Sequence, residues 1–378
     1  MKNCPLSNCC GGCVWRELND TEYREQKETA LRKILSRIKQ NNIPWSEPVY
    51  IPDGTRRRAA MAFKYYKKDL QMGFNASQSH DIIDCHYCPL LTEKLNADLN
   101  NVRNLLKQLC AEPFTIKKGK KILKQNITAG DVFLCAADNG IDILLELNEA
   151  PTLNHRMIIC EEVNKYPNII RLSWRQSGQS VPETIIEKTR PLIKNSGIDV
   201  YIPAGTFLQA SQMGEQALIK LVLKYVGSRT GKIADLFCGV GTFSYPLAQN
   251  KHNQILAVDS SAELLEGFKC SVNKNQLTNV RIETKNLFKY PLDVEELKNT
   301  DIVIFDPPRA GAAAQVKTLA AAQNVKVIIG VSCNPNTFVN DANTLIDGGY
   351  KLQELTMVDQ FVYSRHTELV ALFEKDEK

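Results

Sequence analysis

The second half of the chain alternates apolar, strand-like runs with helical stretches, and this pattern restricts the fold more than any other feature. The strand-like runs are GKIADLFCG, QILAVDSS, VRIETKNLF, DIVIFDPPR and VKVIIGVSCN, and helical stretches such as SAELLEGFKCSVNKNQ and GAAAQVKTLAAAQ lie between them. Apolar strands that each lead into a helix are typical of a mostly parallel, doubly wound sheet. We therefore predict an α/β domain over residues 204–378.

The first half has a different texture, with short strands separated by turn residues between about Tyr50 and Ile202. Apolar residues there fall at period-two positions, which predicts half-buried antiparallel strands; they are Val132, Leu134, Ile143, Leu145 and Leu147. One helix, LLTEKLNADLNNVRNLLKQL, interrupts the strands, and an amphipathic helix is predicted from about Thr21 to Ile43. We predict an antiparallel β-rich domain over residues 1–203, with the helix at about 20–43 a candidate to pack on the second domain.

Four of the twelve cysteines fall in the first thirteen residues, MKNCPLSNCCGGC. We find neither an apolar leader nor a membrane-length apolar stretch, so we expect a cytoplasmic protein without a membrane partner. Thiols stay reduced in that compartment, which argues against a disulfide framework and favours a metal site. Cys4, Cys10 and Cys13 supply three candidate ligands, and Cys85 or Cys88 the fourth. All-sulfur ligation suits zinc or an iron–sulfur cluster, and the residues alone leave both open.

The segment ADLFCGVGTFSYPLA predicts a ligand site at the end of the first strand of the α/β domain. Asp235 ends that strand, and Gly239 and Gly241 form a turn that lets backbone approach a ligand closely. Ser244 stands where a dinucleotide site would have its third glycine, whereas Asp259 ends the next strand at a position suited to ribose hydroxyls. An adenosine cofactor without a pyrophosphate fits this pattern, and S-adenosylmethionine is such a cofactor.

Two later strands also end in residues that can carry chemistry. Asp306 is followed by two prolines that shape a rigid loop, and Cys333 ends the next strand. A thiolate at this edge is a candidate nucleophile. The alternative is a buried structural cysteine.

The segments DLFCGVGTF, DPPRAG, SCNPNT and DQFVYSRHTEL follow one another in this order and resemble the motifs of RNA (uracil-C5)-methyltransferases over essentially the whole chain. The resemblance implies a Rossmann-like class I methyltransferase domain and S-adenosylmethionine-dependent formation of 5-methyluridine. It implies that Cys333 adds to uracil carbon 6 and that Glu368 removes the carbon-5 proton, with His366 orienting or tuning this base.

The same resemblance implies roles for further side chains. Phe207 would stack on the flipped base, and Asp306 would lie between cofactor and base, accepting from the uracil N–H. The positions matching cofactor contacts are Gln209, Phe237, Thr242, Asp259, Asn286 and Asp306. In the absence of a ligand, Phe207 and Phe237 would be ordinary core aromatics and Asn286 an ordinary turn residue.

The family places a proline after its fourth cluster cysteine, which selects Cys88 and favours a 4Fe-4S cluster over zinc. Four protein ligands leave no open iron, so the resemblance implies a structural or RNA-positioning cluster. Cys9 is then a neighbour. The remaining cysteines are expected to be small buried residues: Cys110, Cys135, Cys160, Cys238 and Cys270.

The sequence departs from the family pattern at Val362, Ser364 and Asp259, where the family more often has proline, threonine and glutamate. These changes leave the nucleophile and the base intact and affect the local loop and its RNA contacts. Cys4 nearly opens the chain, so we expect the RNA-binding β-barrel (TRAM domain) that many relatives carry ahead of the cysteines to be absent.

The expected partner is RNA. The clusters TRRRAAMAFKYYKK and IKKGKKILK are basic, and the first interleaves aromatics, as single-strand binders do; Arg56, Arg57 and Arg58 are candidate phosphate ligands. The target uracil must leave its stack to reach Cys333, so we expect a single-stranded loop or bulge as the substrate. The resemblance favours 23S rRNA over tRNA, because the tRNA-specific relatives generally lack the iron–sulfur cysteines. We expect a monomer. The alternatives are a tRNA uracil-C5 methyltransferase, an amino-nitrogen methyltransferase and an inactive RNA-binding module of the same fold.

Overall fold

The computed structural model describes residues 4–118, 121–179 and 181–375, with no side chains described between 116 and 122. The helices are α1 Asp20–Leu35, α2 Glu93–Ala111, α3 Leu153–Lys165, α4 Gln212–Val226, α5 Ser244–Ala248, α6 Ala262–Lys274, α7 Ala313–Ala321 and α8 Pro335–Asp347. The strands are β1 Val49–Tyr50, β2 Arg58–Tyr66, β3 Asp69–Asn75, β4 Ile82–Asp84, β5 Pro113–Lys118, β6 Lys121–Asn126, β7 Ala129–Ala137, β8 Gly140–Leu147, β9 Ile169–Gln176, β10 Glu183–Glu187, β11 Leu192–Asn195, β12 Ile198–Tyr201, β13 Lys232–Leu236, β14 Gln254–Asp259, β15 Val280–Thr284, β16 Ile302–Phe305, β17 Val327–Ser332, β18 Tyr350–Asp359 and β19 Glu368–Lys375. The chain divides into two units, the first of residues 1–17, 52–193 and 202–211 and the second of 18–51, 194–201 and 212–378.

The second unit is built on a sheet with strand order β1-β18-β19-β17-β16-β13-β14-β15. The strands from β13 to β17 are parallel to their neighbours in this group, and β19 runs antiparallel between β17 and β18. Every residue of β16 and β17 is buried, as expected for strands covered by helices on both faces. The predicted doubly wound, mostly parallel sheet is therefore confirmed.

Helix α1 is shorter than the predicted span of Thr21 to Ile43. Asn19 caps its first turn in a capping box with Glu22. The helix ends at Leu35, and the turns that follow take Asn42 to a positive φ of 58° just before Pro44. Ile38 stays buried with the core of the second unit although it has left the helix, which is why the apolar spacing appeared to continue.

The first unit contains a sheet with strand order β10-β9-β8-β7-β2-β3-β4. Neighbouring strands of this sheet are antiparallel, except β8 and β9, which are parallel. The five apolar residues predicted to point inward are all at most 2% exposed. The half-buried prediction is nevertheless wrong for β8, where nearly every residue is buried on both faces and Asp142 is paired with Arg171 at 2.7 Å.

Helix α3 was not predicted, because only one helix was expected among the strands of the first half. Thr152 caps it by accepting from the backbone N–H of His155, and His155 Nδ1 accepts in return from the Thr152 N–H. A capping box normally carries glutamate or glutamine at this third position, and histidine conceals the signature.

Two of the cysteines expected to be buried are buried, namely Cys110 and Cys238. The prediction is wrong for Cys135, Cys160 and Cys270, which are partly exposed. Cys160 and Cys270 lie on helix faces that border solvent. Over the described residues, no helix is both long and apolar enough to cross a membrane.

Candidate active site

The carboxyl ends of the parallel strands in the second unit gather acidic residues at one edge of the sheet. Asp235 is within β13, Asp259 ends β14, and Asp306 directly follows β16. Strand β13 pairs with both β14 and β16, so these carboxyls are neighbours across the sheet. This is the edge at which open α/β sheets bind ligands.

Strand register brings Cys333 beside Glu368. Cys333 follows the last residue of β17, and β19 begins at Glu368. These strands are antiparallel with Ser332 opposite Leu369, so the next step of the register sets Cys333 against Glu368. Asp306 lies on the other side, because β16 pairs with β17 in parallel. A thiol therefore lies between two carboxyl groups.

Glu368 is a buried carboxyl, only 3% exposed. Its Oε1 accepts from Gln360 Nε2 at 3.2 Å, while its Oε2 is buried without a hydrogen-bond partner. Burial raises the pKa of Glu368 to about 8, and the charge of Asp306 adds to the rise. An oxygen without a donor and a pKa near neutrality suit a group that takes up a proton.

The environment of Cys333 is electrically mixed. Burial raises the pKa of this thiol to about 11, helped by the negative charges of Glu368 and Asp306, whereas the Arg309 guanidinium lowers it. Arg309 also lowers the pKa of Glu368, and its Nη2 lies 3.3 Å from His366 Nε2. Burial raises the pKa of Asp306 to about 7. At neutral pH the resting site therefore carries protons that a nucleophile and a base must give up.

The loops carrying Arg309 and Cys333 are joined by hydrogen bonds. The backbone carbonyl of Arg309 accepts from Asn334 Nδ2 at 2.9 Å and from Thr337 Oγ1 at 3.3 Å. Asp341 Oδ2 accepts from the Ala312 N–H at 3.0 Å and holds the far end of the same loop. Cys333 and Arg309 thus lie on two loops that are hydrogen-bonded to each other.

The glycine turn after β13 is shaped for a ligand. Gly239 has φ +55°, and a Cβ built on it would meet no atom within 4 Å, so the backbone faces open space. Gly241 has φ +91°, and its Cβ would lie 2.6 Å from the Phe268 ring. Asp259 accepts from the backbone N–H of Gly239 at 3.0 Å and of Ser261 at 2.9 Å, which fixes its carboxylate at the rim of this space.

Two aromatic rings and an asparagine complete this part of the site. Phe237 adopts a positive φ of 60°, and its ring centroid is 5.4 Å from that of Phe288. Asn286 Oδ1 accepts from the Phe288 N–H at 3.1 Å and so shapes the loop after β15. Thr242 follows the glycine turn and is half-buried. Open space above Gly239, a rim carboxylate and an aromatic wall fit an adenosine-bearing cofactor such as S-adenosylmethionine.

A family model described as tRNA (Uracil-5-)-methyltransferase matches residues 192–376. An uncharacterized RNA methyltransferase of Agrobacterium fabrum is 36% identical over 98% of this chain and 83% of its own length. The chain belongs to the RNA (uracil-5-)-methyltransferase family. A 23S rRNA (uracil(1939)-C(5))-methyltransferase of Vibrio parahaemolyticus is 29% identical over 98% of this chain and 81% of its own.

The fold of this RNA methyltransferase matches a solved structure, the Pyrococcus abyssi tRNA (uracil-54, C5)-methyltransferase in complex with S-adenosyl-L-homocysteine. The TM-score is 0.73 with 23% identity, over 99% of this chain and 87% of that one. The likeness supports the class I methyltransferase fold.

Residues of the first unit that were predicted to bind ligands show distinct environments. Phe207 is 65% exposed, and the Arg58 guanidinium lies 4.4 Å from its ring centroid. Its expected alternative as a core aromatic is therefore wrong. Gln209 is 7% exposed, and its carbonyl accepts from Arg57 Nε at 3.1 Å.

The three consecutive arginines of this RNA methyltransferase do not form one exposed patch. Arg57 is 4% exposed and bonded to backbone, so phosphate binding is wrong for this residue. Arg56 is half-buried, and its Nε donates to the Arg58 carbonyl at 3.0 Å. The predicted lysine run falls partly outside the described residues. Gly119 and Lys120 are not described, and neither are the side chains of residues 116–122.

The predicted cluster cysteines of the methyltransferase line one small pocket of the first unit. Its walls include Cys4, Cys10, Cys13, Cys85 and Cys88, with apolar side chains between them. Asn96 fixes the backbone at Cys88 by accepting from its N–H at 2.9 Å and donating to its carbonyl at 3.0 Å. An apolar pocket lined by thiols is the kind of donor set that an iron–sulfur cluster or zinc requires.

Within residues 4–118, 121–179 and 181–375, no group of three or more His, Cys, Asp or Glu side chains is arranged closely enough to hold a metal ion. The cysteine-rich leader, residues 4–16, is also attached to the rest of the first unit by protein contacts. Gly11 N–H donates to the Asn75 carbonyl at 2.9 Å, and Arg16 pairs with Asp53 at 2.7 Å. The five cysteines therefore line one pocket, but among the described residues their arrangement is not that of a metal site.

Sequence reasoning missed two residues of the site. Arg309 lies in the DPPRAG motif, but the motif alone assigned it no role. A cation near the Cys333 thiol and the Glu368 carboxyl could have been expected, because it favours the charged forms of both groups. Gln360 gave no such signal, because only the return of β18 into β19 brings it to Glu368.

Proposed function

We propose that this protein transfers a methyl group from S-adenosylmethionine to carbon 5 of uracil in RNA, with Cys333 as nucleophile and Glu368 as base. Family membership supports the reaction class. The observation that carries the residue assignment is the register that sets the Cys333 thiol against a buried carboxyl with an unpartnered oxygen. A methyltransferase acting on an amino nitrogen would need neither group.

Cys333 begins the reaction by losing its proton to solvent and adding as a thiolate to carbon 6. The electron pair of the C5–C6 double bond moves toward the ring carbonyl and forms an enolate. Arg309 stabilises the thiolate, because its guanidinium already lowers the pKa of Cys333. Asp306 holds the uracil by accepting from its N–H. S-adenosylmethionine, when bound, would supply an electrophilic methyl group for carbon 5 of this enolate, with the electron pair of the broken S–CH3 bond remaining on the cofactor sulfur.

Glu368 ends the reaction. Its carboxylate removes the proton from carbon 5, and the C–H electron pair restores the C5–C6 double bond. The C6–S bond breaks, and its electron pair returns to the Cys333 sulfur. The unpartnered Oε2 is the oxygen available for this proton.

We propose a single-stranded loop of 23S rRNA as the substrate, modified in the cytoplasm by a monomer. The name of the Vibrio relative, at 29% identity, supports this choice. The fold likeness to an archaeal tRNA enzyme keeps tRNA as the second candidate. Mapping 5-methyluridine in rRNA and tRNA from a deletion strain separates the two, since only the true substrate class loses a methylated position.

We also propose that Cys4, Cys10, Cys13 and Cys88 hold a 4Fe-4S cluster that fastens the leader to the first unit. The support is their shared pocket and all-sulfur chemistry. Anaerobic reconstitution followed by iron, sulfide and zinc analysis tests it, and zinc without iron would overturn the iron assignment.

The reaction is tested with two isotopes in one assay. Methyl-labelled S-adenosylmethionine reports methyl transfer, and tritium on uracil carbon 5 reports loss of that proton. We expect wild-type protein to give both signals in equal amounts and Cys333→Ala to give neither, while Cys270→Ala, a partly exposed cysteine on α6, behaves as wild type. Full methyl transfer by Cys333→Ala would support an amino-nitrogen methyltransferase, and no calorimetric binding of S-adenosylmethionine would support a silent RNA-binding module.

A further inference from the structure

Helix α1 carries a lysine that is buried and bonded to the chain just ahead of the proposed base. The side chains of Lys27 and Asp359 are each 1% exposed, and they form an ion pair. Lys27 Nζ also donates to the carbonyls of Phe361 at 3.3 Å and Ser364 at 3.1 Å. One cation therefore binds three points of a segment more than 300 positions away in the sequence.

Tyr23 adds to this contact from one helical turn earlier, on the same face of α1. Its hydroxyl donates to Asp359 Oδ2 and accepts from the Tyr363 N–H at 2.9 Å. The rings of Tyr23 and Tyr363 are 4.9 Å apart. Tyr363 has a positive φ of 60°, which a tyrosine adopts only where its surroundings hold it.

The segment held in this way, residues 360–367, is the connection between β18 and β19. It begins next to Asp359 and ends at Glu368, the first residue of β19. Gln360, at its start, donates to Glu368 Oε1 at 3.2 Å. His366, near its end, lies 3.3 Å from Arg309. A shift of the 360–367 connection would therefore move the partner of the base and the neighbour of the arginine together.

The energetics of burial argue that this network orients the chain. Removing a lysine and an aspartate from water is costly, and their mutual attraction often does no more than offset that cost. A well-packed apolar pair in place of Lys27 and Asp359 would stabilise the fold at least equally. What an apolar pair cannot supply is directional bonding to two chosen carbonyls and one chosen N–H.

We propose that Lys27 and Tyr23 are positioning residues that hold the 360–367 connection. With that connection held, the bond from Gln360 keeps the Glu368 carboxylate in place for removal of the carbon-5 proton. This inference rests on the proposed function. In that step the C–H electron pair forms the C5–C6 double bond, and the C6–S pair returns to Cys333. A misplaced carboxylate slows only this elimination, so the methylated adduct between Cys333 and the RNA accumulates.

The test compares Lys27→Met and Tyr23→Phe with wild type under single-turnover conditions. Lys39→Met is the matched control, since it removes an exposed lysine paired with Asp347 at 2.6 Å in the same unit. Methyl transfer and carbon-5 tritium release are counted together, and RNA attached to protein is counted on a denaturing gel.

We expect Lys27→Met to transfer the methyl group at near wild-type rate but to release tritium about 10- to 100-fold more slowly, because small misplacements of a catalytic group cost rates of that order. Tyr23→Phe, which loses the hydrogen bond to the Asp359 carboxylate and the acceptor for the Tyr363 N–H, should slow tritium release about 10-fold. Both should accumulate covalent RNA–protein adduct, and Lys39→Met should not.

Equal tritium release and no adduct in both variants would overturn the inference. So would a parallel fall of methyl transfer and tritium release, which is the signature of a merely structural role. If Lys27→Met does not fold, Tyr23→Phe decides alone. A wild-type protein that never releases carbon-5 tritium would instead refute the proposed function, so the two failures are distinguishable.

Discussion

Replacing Glu368 by glutamine should stabilise the protein by an amount that grows with pH. The buried carboxyl has its pKa raised from 4.5 to about 8, first by burial and then by Asp306. The folded protein therefore holds a proton that the unfolded chain releases, and stability falls as pH rises from about 4.5 to about 8. At 1.36 kcal/mol for each pKa unit, the rise in the pKa of Glu368 can lower the free energy of unfolding by at most about 5 kcal/mol.

Between pH 5 and pH 8 we expect the stability of Glu368→Gln relative to wild type to rise by about 2–4 kcal/mol. The rise is smaller than the ceiling because the neighbouring Asp306 also changes its protonation over this range. The glutamine oxygen can still accept from Gln360, so the local geometry is kept. The pH dependence of the difference between wild type and variant is the quantity predicted, and its value at pH 5 serves as the baseline.

Urea unfolding followed by far-UV circular dichroism at pH 5, 6.5 and 8 measures this difference. The comparison requires that the unfolding free energy falls with urea concentration at the same slope in both proteins. Glu295→Gln is the control, since Glu295 is an exposed carboxyl paired with Lys298 at 3.2 Å. Its effect should stay below about 1 kcal/mol at every pH. A Glu368→Gln effect that is flat with pH, or that reverses sign, would refute the burial argument.

Three further outcomes follow from the site. Gly241→Ala should lose about 1–3 kcal/mol of stability and most S-adenosylmethionine affinity by calorimetry, because its Cβ would meet Phe268 at 2.6 Å with φ at +91°; unchanged binding would contradict the tight turn. Phe207→Ala should weaken RNA binding about 10-fold in a filter assay while leaving the melting temperature unchanged, since the ring is 65% exposed, and a lowered melting temperature would indicate packing instead. Cys88→Ser should prevent iron uptake on reconstitution and Cys9→Ser should not, with equal iron in both contradicting the ligand set.

The parallel strands and the sheet edge that carries Asp259 and Asp306 could be predicted from sequence, because apolar runs followed by helices leave few alternatives. The pairing of Cys333 with Glu368 could not be derived from the pattern. It depends on β19 turning back antiparallel between β17 and β18, and nothing local in the sequence specifies that register. A family resemblance supplied both residues, and the strand register supplies the physical reason for their proximity.

Local composition misled where burial was decided by distant partners. Arg57 belongs to a basic run that suggested a phosphate surface, yet its side chain is bonded to the Gln209 carbonyl. Lys27 is one of many charged residues of α1, and Asp359 is the last residue of β18, so nothing local in the sequence marks either residue. Their ion pair joins positions 27 and 359, a separation that no sequence window spans.

RNA that carries 5-fluorouridine tests most directly whether the Cys333 thiolate attacks carbon 6 of uracil and whether catalysis ends by loss of the carbon-5 proton. Fluorine cannot leave as a proton, so elimination is blocked. With S-adenosylmethionine we expect a denaturation-resistant RNA–protein complex whose crosslinked peptide contains Cys333, and we expect no such complex with Cys333→Ala. A protein that methylates uridine RNA yet forms no such complex, or forms it through another residue, would contradict the proposed mechanism.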